Sequence, residues 1–232
     1  MGANSRYHFV DVLRGIAILL MVAYHFCYDL SYFNFVNFDF YNDPFWLHSR
    51  TFILSLFLSL VGISLWLGHG KHIQLNKALK RLALIALNAA LISLVTWYMF
   101  TERVVYFGVL HFIVVGSLFG LLFVRYRRMC LLTGIALLAM QQFQHVWFDQ
   151  PWHQWLGMMT HKPATEDYVP LVPWLGVVLL GIYIAYWIPA ISKLKSVESI
   201  NMPLLAVLGQ HSLLIYMLHQ PILLGILKLF AA

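Results

Sequence analysis

The amino-acid sequence predicts an all-α integral membrane protein, a polytopic helical bundle of about seven transmembrane helices in a single domain over residues 1–232. Three observations lead there. Of the 232 residues, 61% are hydrophobic and only 10% charged, and the mean hydropathy of +0.76 excludes a water-soluble globule. Several apolar runs reach the roughly 20 residues that a helix needs to cross about 30 Å of hydrocarbon. The alternating pattern of a transmembrane barrel is missing, which leaves helices as the way to satisfy the backbone within lipid.

In chain order, helices are expected at Phe9–Leu30, Arg50–Leu67, Leu82–Phe100, Val104–Val124, Met129–Phe143, Val169–Pro189 and Met202–Phe230. The first run is too long for a signal peptide, carries Arg14 and His25, and has no small-residue cleavage site behind it, so it is expected to remain a span. Cations gather on alternate connections: Arg6, then Lys71, Lys77, Lys80 and Arg81, then Arg125, Arg127 and Arg128, then Lys193 and Lys195. The positive-inside rule makes that side cytoplasmic. Asp29, Asp39, Asp43, Glu102, Asp149, Glu166 and Asp167 fall on the other side, with long loops rich in Tyr, Phe and Trp. The N-terminus is then cytoplasmic and the C-terminus periplasmic. The net charge of +6 reports this topology and contact with anionic lipid of the bilayer, and nucleic acid is not implied. No internal repeat, low-complexity tract or linker is visible. Cys27 and Cys130 fit neither a disulfide framework nor a metal site and read as packing residues, and no metal is expected.

The first span carries the candidate chemistry. Eleven helical steps bring Arg14 and His25 within about 20° of one face, roughly 16 Å apart along the axis. Ionisable groups at membrane depth are costly unless they meet a partner or serve a function. Asp11, three residues before Arg14, is placed to pair with it, and Asp29, four residues beyond His25, is placed to accept a hydrogen bond from the imidazole. In YFGVLHFIVVGSL, His111 lies in the fourth span between Gly108 and Gly116, which permit close helix approach. In LGQHSLLIYMLHQPIL, His219 lies toward the outer end of the last span, with His211 two turns earlier beside Gln210 and Ser212. Taken singly, each of these histidines is more often an interhelical hydrogen-bond donor than a catalyst, but four intramembrane histidines on three helices point beyond structure.

The segments FVDVLRGIAILLMVAYH, YFGVLHFI and VPLVPWLGVVLLGIYIAY, in that order, resemble the bacterial short forms of the heparan-α-glucosaminide N-acetyltransferase catalytic-domain family. The resemblance covers most of the chain and is weakest from Gln142 to Tyr168. The spacing from Arg14 to His25 with Asp11 before it, together with the ending LGQHSLLIYMLHQPIL, is also similar to acyltransferase family 3 enzymes, whose first-helix histidine is taken as catalytic. The resemblance implies an acyltransferase of the bacterial inner membrane. It would move an acyl group, above all acetyl, from cytoplasmic acyl-CoA to a hydroxyl or amine of a sugar-like envelope acceptor on the periplasmic face. The lysosomal member of the first family has asparagine in place of His25 and its proposed catalytic histidine in the following lumenal segment. Here SYFNFVNFDFYNDPFW contains no histidine, so a catalytic His25 follows from the family 3 spacing.

These readings combine into an expected mechanism. The phosphates of acetyl-CoA or another acyl-CoA cannot enter hydrocarbon, whereas its thin pantetheine arm can. Arg14, Lys80 and Arg81 are the expected phosphate-binding cations. The arm, about 15–20 Å when extended, matches the axial offset between Arg14 and His25. His25 is the expected general base, Asp29 holds its tautomer, and His111 or His219 donates to the thioester carbonyl, with a covalent acyl-histidine relay left open. Trp46, Trp152 and Trp155 either bound the acceptor site or belong to the headgroup belt. Pro170 and Pro173 are expected to bend the start of the sixth span. The alternatives are histidine-ligated haem, transport, or a structural role without acyl transfer, and homo-oligomerisation stays open.

Overall fold

The computed structural model describes residues 7–99, 104–163, 165, 167–194 and 201–230. Arg6, Glu102, Glu166 and Lys195, used above to orient the chain, and Phe100 at the expected end of the third helix lie outside the described residues. All the secondary structure among the described residues is helical apart from one isolated bridge between Gly108 and Tyr168. The helices are α1 (His8–Tyr32), α2 (Pro44–His69), α3 (Leu75–Met99), α4 (Val109–Phe123), α5 (Arg127–Met140), α6 (Leu171–Ala185), the single turn α7 (Ile188–Ile191), α8 (Pro203–Gln210) and α9 (Ser212–Phe230). Two short 3-10 turns, Val146–Asp149 and Gln154–Leu156, lie between α5 and α6.

Four helices, α1, α2, α3 and α9, are long and apolar enough to cross a membrane, while α4 and α6 are apolar but have 15 residues each. This makes the protein an integral membrane protein. The last expected span, Met202–Phe230, is in fact two helices. His211 leaves helical geometry at φ −101° and ψ 17°, its amide bonds back to Val207 and Leu208, and its Nδ1 reaches the Val207 carbonyl at 2.9 Å, so it closes α8 as a cap. The fourth helix begins at Val109 rather than Val104. Ahead of it, Thr96 Oγ1 accepts the Val105 amide, Ser93 Oγ donates to the Val105 carbonyl, and that backbone is spent on α3 rather than on a helix of its own.

The chain forms two compact units, Met1–Leu60 with Pro189–Ala232, and Val61–Ile188. In the first, α1 ends in a Schellman-type turn: Asn34 takes φ 60° and the Phe35 amide returns to the Leu30 carbonyl. Asp39 then organises the connection by accepting the Tyr41 and Asn42 amides, and the Asp43 carboxylate caps the start of α2 at the Phe45 amide, 2.8 Å. Phe40, 4% exposed, packs with Tyr24, Tyr28, Phe38 and Trp46 as one aromatic cluster over this loop. Helices α1 and α8 meet backbone to backbone. A Cβ at Gly15 would stand 2.0 Å from the Leu205 carbonyl oxygen, and one at Gly209 1.9 Å from that of Asp11.

In the second unit α6 is central, with Val178, Leu179, Ile182 and Ala185 fully buried. Glycines again set the spacing, Gly134 of α5 against Gly176 of α6. The expected bend at the start of α6 is present: Val172 holds φ −97° and ψ 126°, the extended region into which the following Pro173 forces it. Arg127 lies over the rings of Tyr183, Tyr186 and Trp187, at 4.3 Å from the last. Helix α3 presents Leu84, Leu87, Leu91 and Leu94 outward while Ala78, Leu82, Ile85 and Ala89 are buried, the arrangement of a helix with lipid on one side.

Thermal unfolding in detergent tests the α1–α8 contact. Gly209→Val is expected to cost at least about 3 kcal/mol, because backbone rather than a movable side chain blocks the new atoms. Gly225→Ala in α9, where an added Cβ meets nothing within 4 Å, is expected to raise the midpoint by the ~0.5–1 kcal/mol that alanine gains over glycine in a helix.

Candidate functional site

Helix α1 is unbroken from His8 to Tyr32, so the roughly 16 Å axial offset of Arg14 and His25 holds. Along the same side Asp11, Gly15, Ile18 and Asp29 are buried. Gly15 admits α8, and the chain returning through α9 sets His219 and Gln220 against the C-terminal half of α1. The rings of His25 and His219 are 4.9 Å apart, edge to face. Gln220 Nε2 lies 3.3 Å from His25 Nδ1 and 3.4 Å from Asp29 Oδ1. Sequence spacing suggested a direct bond between Asp29 and His25. Instead, the Gln220 carboxamide joins them.

The polar atoms of this cluster are unevenly satisfied. Asp29 is 2% exposed and His219 9%. Asp29 Oδ2, His219 Nε2 and Gln220 Oε1 are all buried without a hydrogen-bond partner among the described residues. A buried polar atom left unpaired costs about 1–3 kcal/mol, and three of them lie together in this cluster. His219 Nδ1 is committed, 2.6 Å from the Tyr216 carbonyl oxygen. Pro221, inside α9, has no amide hydrogen to return to the Met217 carbonyl one turn before it.

His111 sits in the second unit with both ring nitrogens occupied. Nδ1 accepts the Gly108 amide at 3.3 Å and Nε2 is 3.1 Å from Ser93 Oγ. The start of α4 is further capped by Asp167, whose Oδ2 accepts the Val109 amide at 3.1 Å. Arg14 forms the ion pair with Asp11 that their spacing suggested, Nη1 to Oδ1 at 2.9 Å, with its side chain 22% exposed. Lys80 and Arg81 are exposed on α3 in the second unit, and Arg81 borders a crevice with Leu65, His69, Ala78, Leu82, Ser117 and Leu121.

The aromatic candidates divide in the same way. Trp46 belongs to the first unit's aromatic cluster, with its ring 4.2 Å from Phe40 and 5.8 Å from Tyr24, the neighbour of His25. Trp155 lies 6.0 Å from Phe107, itself 6.2 Å from His111, and Trp152 is 81% exposed. The loop they occupy is tied by Asp149, which accepts the Thr160 amide and hydroxyl at 2.8 and 2.7 Å. Those bonds hold its carboxyl below the usual carboxylate range. Cys130 is fully buried and donates to the Phe123 carbonyl, the packing role expected of it. Among the described residues no three His, Cys, Asp or Glu side chains form a metal set.

Imidazole, carboxamide and carboxylate are thus gathered on two helices long and apolar enough to cross a membrane, in a protein of integral-membrane character. The chain belongs to the heparan-alpha-glucosaminide N-acetyltransferase catalytic family, whose sequence model matches residues 6–221 and so takes in every segment that carried the resemblance. Membership makes it an N-acetyltransferase-type membrane enzyme. No curated protein and no solved structure matches it significantly.

Gln220 is the residue that sequence reasoning passed over. Its signal was a carboxamide between His219 and Pro221 in an otherwise apolar run. His111→Leu is expected to lower thermal stability by about 1–2 kcal/mol, since it strands the Gly108 amide and releases Ser93 from α4. The melting midpoint of the purified variant measures this.

Proposed function

We propose that this protein transfers an acetyl group from acetyl-CoA, supplied on the cytoplasmic side of a bacterial inner membrane, to a sugar-like acceptor reached from the periplasmic side. The reacting centre is the cluster of His25, Asp29, His219 and Gln220. The observation that carries this is the set of three unsatisfied buried atoms, all in an enzyme of an N-acetyltransferase family. Asp29 Oδ2 and Gln220 Oε1 are acceptors by chemistry, and His219 Nε2 is one when Nδ1 carries the hydrogen. Three acceptors suit a group rich in N–H or O–H hydrogens, and an amine supplies more of them than a hydroxyl. An amine acceptor therefore fits this centre better than an alcohol.

The transfer needs a proton removed from the acceptor and a proton delivered to the departing thiol. Neighbouring imidazoles have the chemistry for both. The acceptor nitrogen attacks the thioester carbon, the carbonyl electrons move to oxygen, and the intermediate collapses with cleavage of the carbon–sulfur bond. Direct transfer needs no acyl-histidine. Asp29, with Gln220 between it and His25, supplies negative charge to stabilise an imidazolium while the proton is in transit. Arg14, held in place by Asp11, remains our candidate for a phosphate of the donor, and Lys80 and Arg81 supply cationic character to the second unit's cytoplasmic edge. His111, with both nitrogens engaged, serves to hold the start of α4 to α3. We read α4, α5 and α6 as completing about seven spans. Fourteen or fifteen residues rise only about 21–22 Å, so the bilayer thins locally around them.

Purified protein in detergent, given labelled acetyl-CoA with glucosamine or N-acetylglucosamine, is expected to acetylate the amine and to prefer it over the hydroxyl sugar. The double variant His25→Ala with His219→Ala is expected to lose at least about 100-fold in kcat while keeping its melting midpoint and its affinity for acetyl-CoA. Wild type that neither binds acetyl-CoA nor transfers acetyl, or a double variant with unchanged kcat, overturns this reading.

A further inference from the structure

The two imidazoles of the cluster do not have the same hydrogen in the same place, and the hydrogen bonds decide which is which. A backbone carbonyl can only accept, so the 2.6 Å contact between His219 Nδ1 and the Tyr216 oxygen puts the hydrogen of neutral His219 on Nδ1. Its Nε2 is therefore a bare lone pair, buried and without a partner among the described residues. The Gln220 carboxamide is oriented by Asp29. A carboxylate oxygen accepts, so the Gln220 atom 3.4 Å from Asp29 Oδ1 is the –NH2 nitrogen. That nitrogen has a second hydrogen, directed at His25 Nδ1 3.3 Å away, and a ring nitrogen receiving a hydrogen bond carries none of its own. Neutral His25 consequently holds its hydrogen on Nε2. One ring offers a lone pair, the other an N–H, and the rings lie 4.9 Å apart.

Resting on the proposed acetyl transfer, we infer that His219 Nε2 is the proton acceptor of the reaction, that the His25 Nε2–H supports the carbonyl oxygen of the thioester, and that Gln220 is the positioning residue that fixes this division of labour. This exchanges the roles that spacing alone gave the two histidines. In the step itself, the acceptor nitrogen forms its bond to the thioester carbon as His219 Nε2 takes its hydrogen. The carbonyl π electrons pass to the oxygen, where the His25 N–H meets the developing charge. The tetrahedral intermediate reforms the carbonyl as the carbon–sulfur bond breaks, and the electron pair leaves on sulfur. The sulfur takes the proton from the His219 imidazolium, releasing CoA thiol and restoring both rings. No oxidant, metal or second nucleophile enters the balance.

A glutamine side chain separates the roles, because its amide nitrogen donates a hydrogen from nearly the position of an imidazole Nε2 but cannot act as a base. His25→Gln is expected to keep kcat for acetyl transfer to glucosamine within about 10-fold of wild type, whereas His25→Ala loses 100-fold or more. His219→Gln is expected to lose at least about 100-fold, no better than His219→Ala. An inactive His25→Gln beside an active His219→Gln overturns the assignment while leaving the acetyl transfer itself in place. A readout without turnover stands beside it: in protein labelled with 15N-histidine, the ring nitrogens of neutral His219 are expected to report Nδ1–H and those of His25 Nε2–H. Gln220→Met, which keeps the length of the side chain and removes its hydrogens, is expected to leave the His219 signals in place and shift His25 toward a mixture of both forms. It is also expected to lower kcat about 10-fold with KM for acetyl-CoA unchanged. Matching tautomers on the two rings, or a His25 signal indifferent to Gln220→Met, overturns the inference, and these spectra remain decisive even for a wild type that transfers nothing.

Discussion

The arrangement of the first unit depends on the contact between α1 and α8, in which two glycines let one backbone touch another. Gly15 has no side chain to hold off the Leu205 carbonyl, and Gly209 none to hold off that of Asp11. Between helices in lipid there is no hydrophobic drive to association, since the acyl chains are as apolar as leucine, so close van der Waals approach has to do the work. Because the contact is backbone on backbone, it also fixes axial register. From that anchor the chain turns at His211 and runs on through α9, and Gln220 arrives at the level of His25 and Asp29. A slip by one helical turn along α1 would carry the carboxamide about 5.4 Å away, beyond reach of either partner.

Given that register, hydrocarbon dictates much of the rest. An ion pair such as Asp11–Arg14 is tolerable near the start of α1 because each charge cancels the other and the arginine keeps part of its surface exposed. Farther along, the protein uses groups that can stay neutral, imidazole and carboxamide, beside a single carboxylate. The second unit shows the contrasting use of the same chemistry. His111 spends both nitrogens on the Gly108 amide and on Ser93, and the segment it fastens is the start of a helix. A histidine with both nitrogens spent holds structure, whereas a histidine with one nitrogen withheld is free to meet a ligand.

This difference explains how much the sequence disclosed. The apolar cores of α1, α2, α3 and α9 were legible from hydropathy, and α1 matches its expected bounds to within two residues at each end. Helix α2, by contrast, starts at Pro44 rather than Arg50 and α3 at Leu75 rather than Leu82, so that Lys77, Lys80 and Arg81 lie on α3 and not in a connection. The Asp11–Arg14 pair was legible because three residues on a helix make neighbours. The bend at Val172 was legible because Pro173 restricts the residue before it. The break at His211 was not read, although Gly209, Gln210, His211 and Ser212 interrupt the apolar run there, because polar side chains within a span read equally as interhelical hydrogen-bonding groups. Gln220 escaped for a chemical reason. A search for ionisable groups weighs side chains by their charge, while the task of Gln220 is to donate two hydrogens in two fixed directions. His25 and Asp29 were read as a pair from their four-residue spacing. A side chain separated from them by more than 190 residues in sequence intervenes, and only the α1–α8–α9 packing reveals it.

Two imidazoles set to opposite tautomers also answer a difficulty that lipid imposes on proton transfer. In water a base finds its conjugate acid by exchange with solvent, but at membrane depth each charged intermediate has to be stabilised by groups already in place. In the proposed acyl transfer, a lone pair on neutral His219 and an N–H on neutral His25 supply the two complementary functions. In the transfer we propose, charge exists only during the reaction, as an imidazolium on His219 and an oxyanion on the substrate, two opposite charges within one cluster that attract and stabilise each other. Asp29 is joined through Gln220 to His25 and makes no direct bond to either ring among the described residues, so in this scheme it does not compete for the proton. On the proposed function, the unsatisfied atoms of the resting cluster are its counterpart: each is an acceptor that an entering amine would bond, and the stability they cost would be recovered on binding.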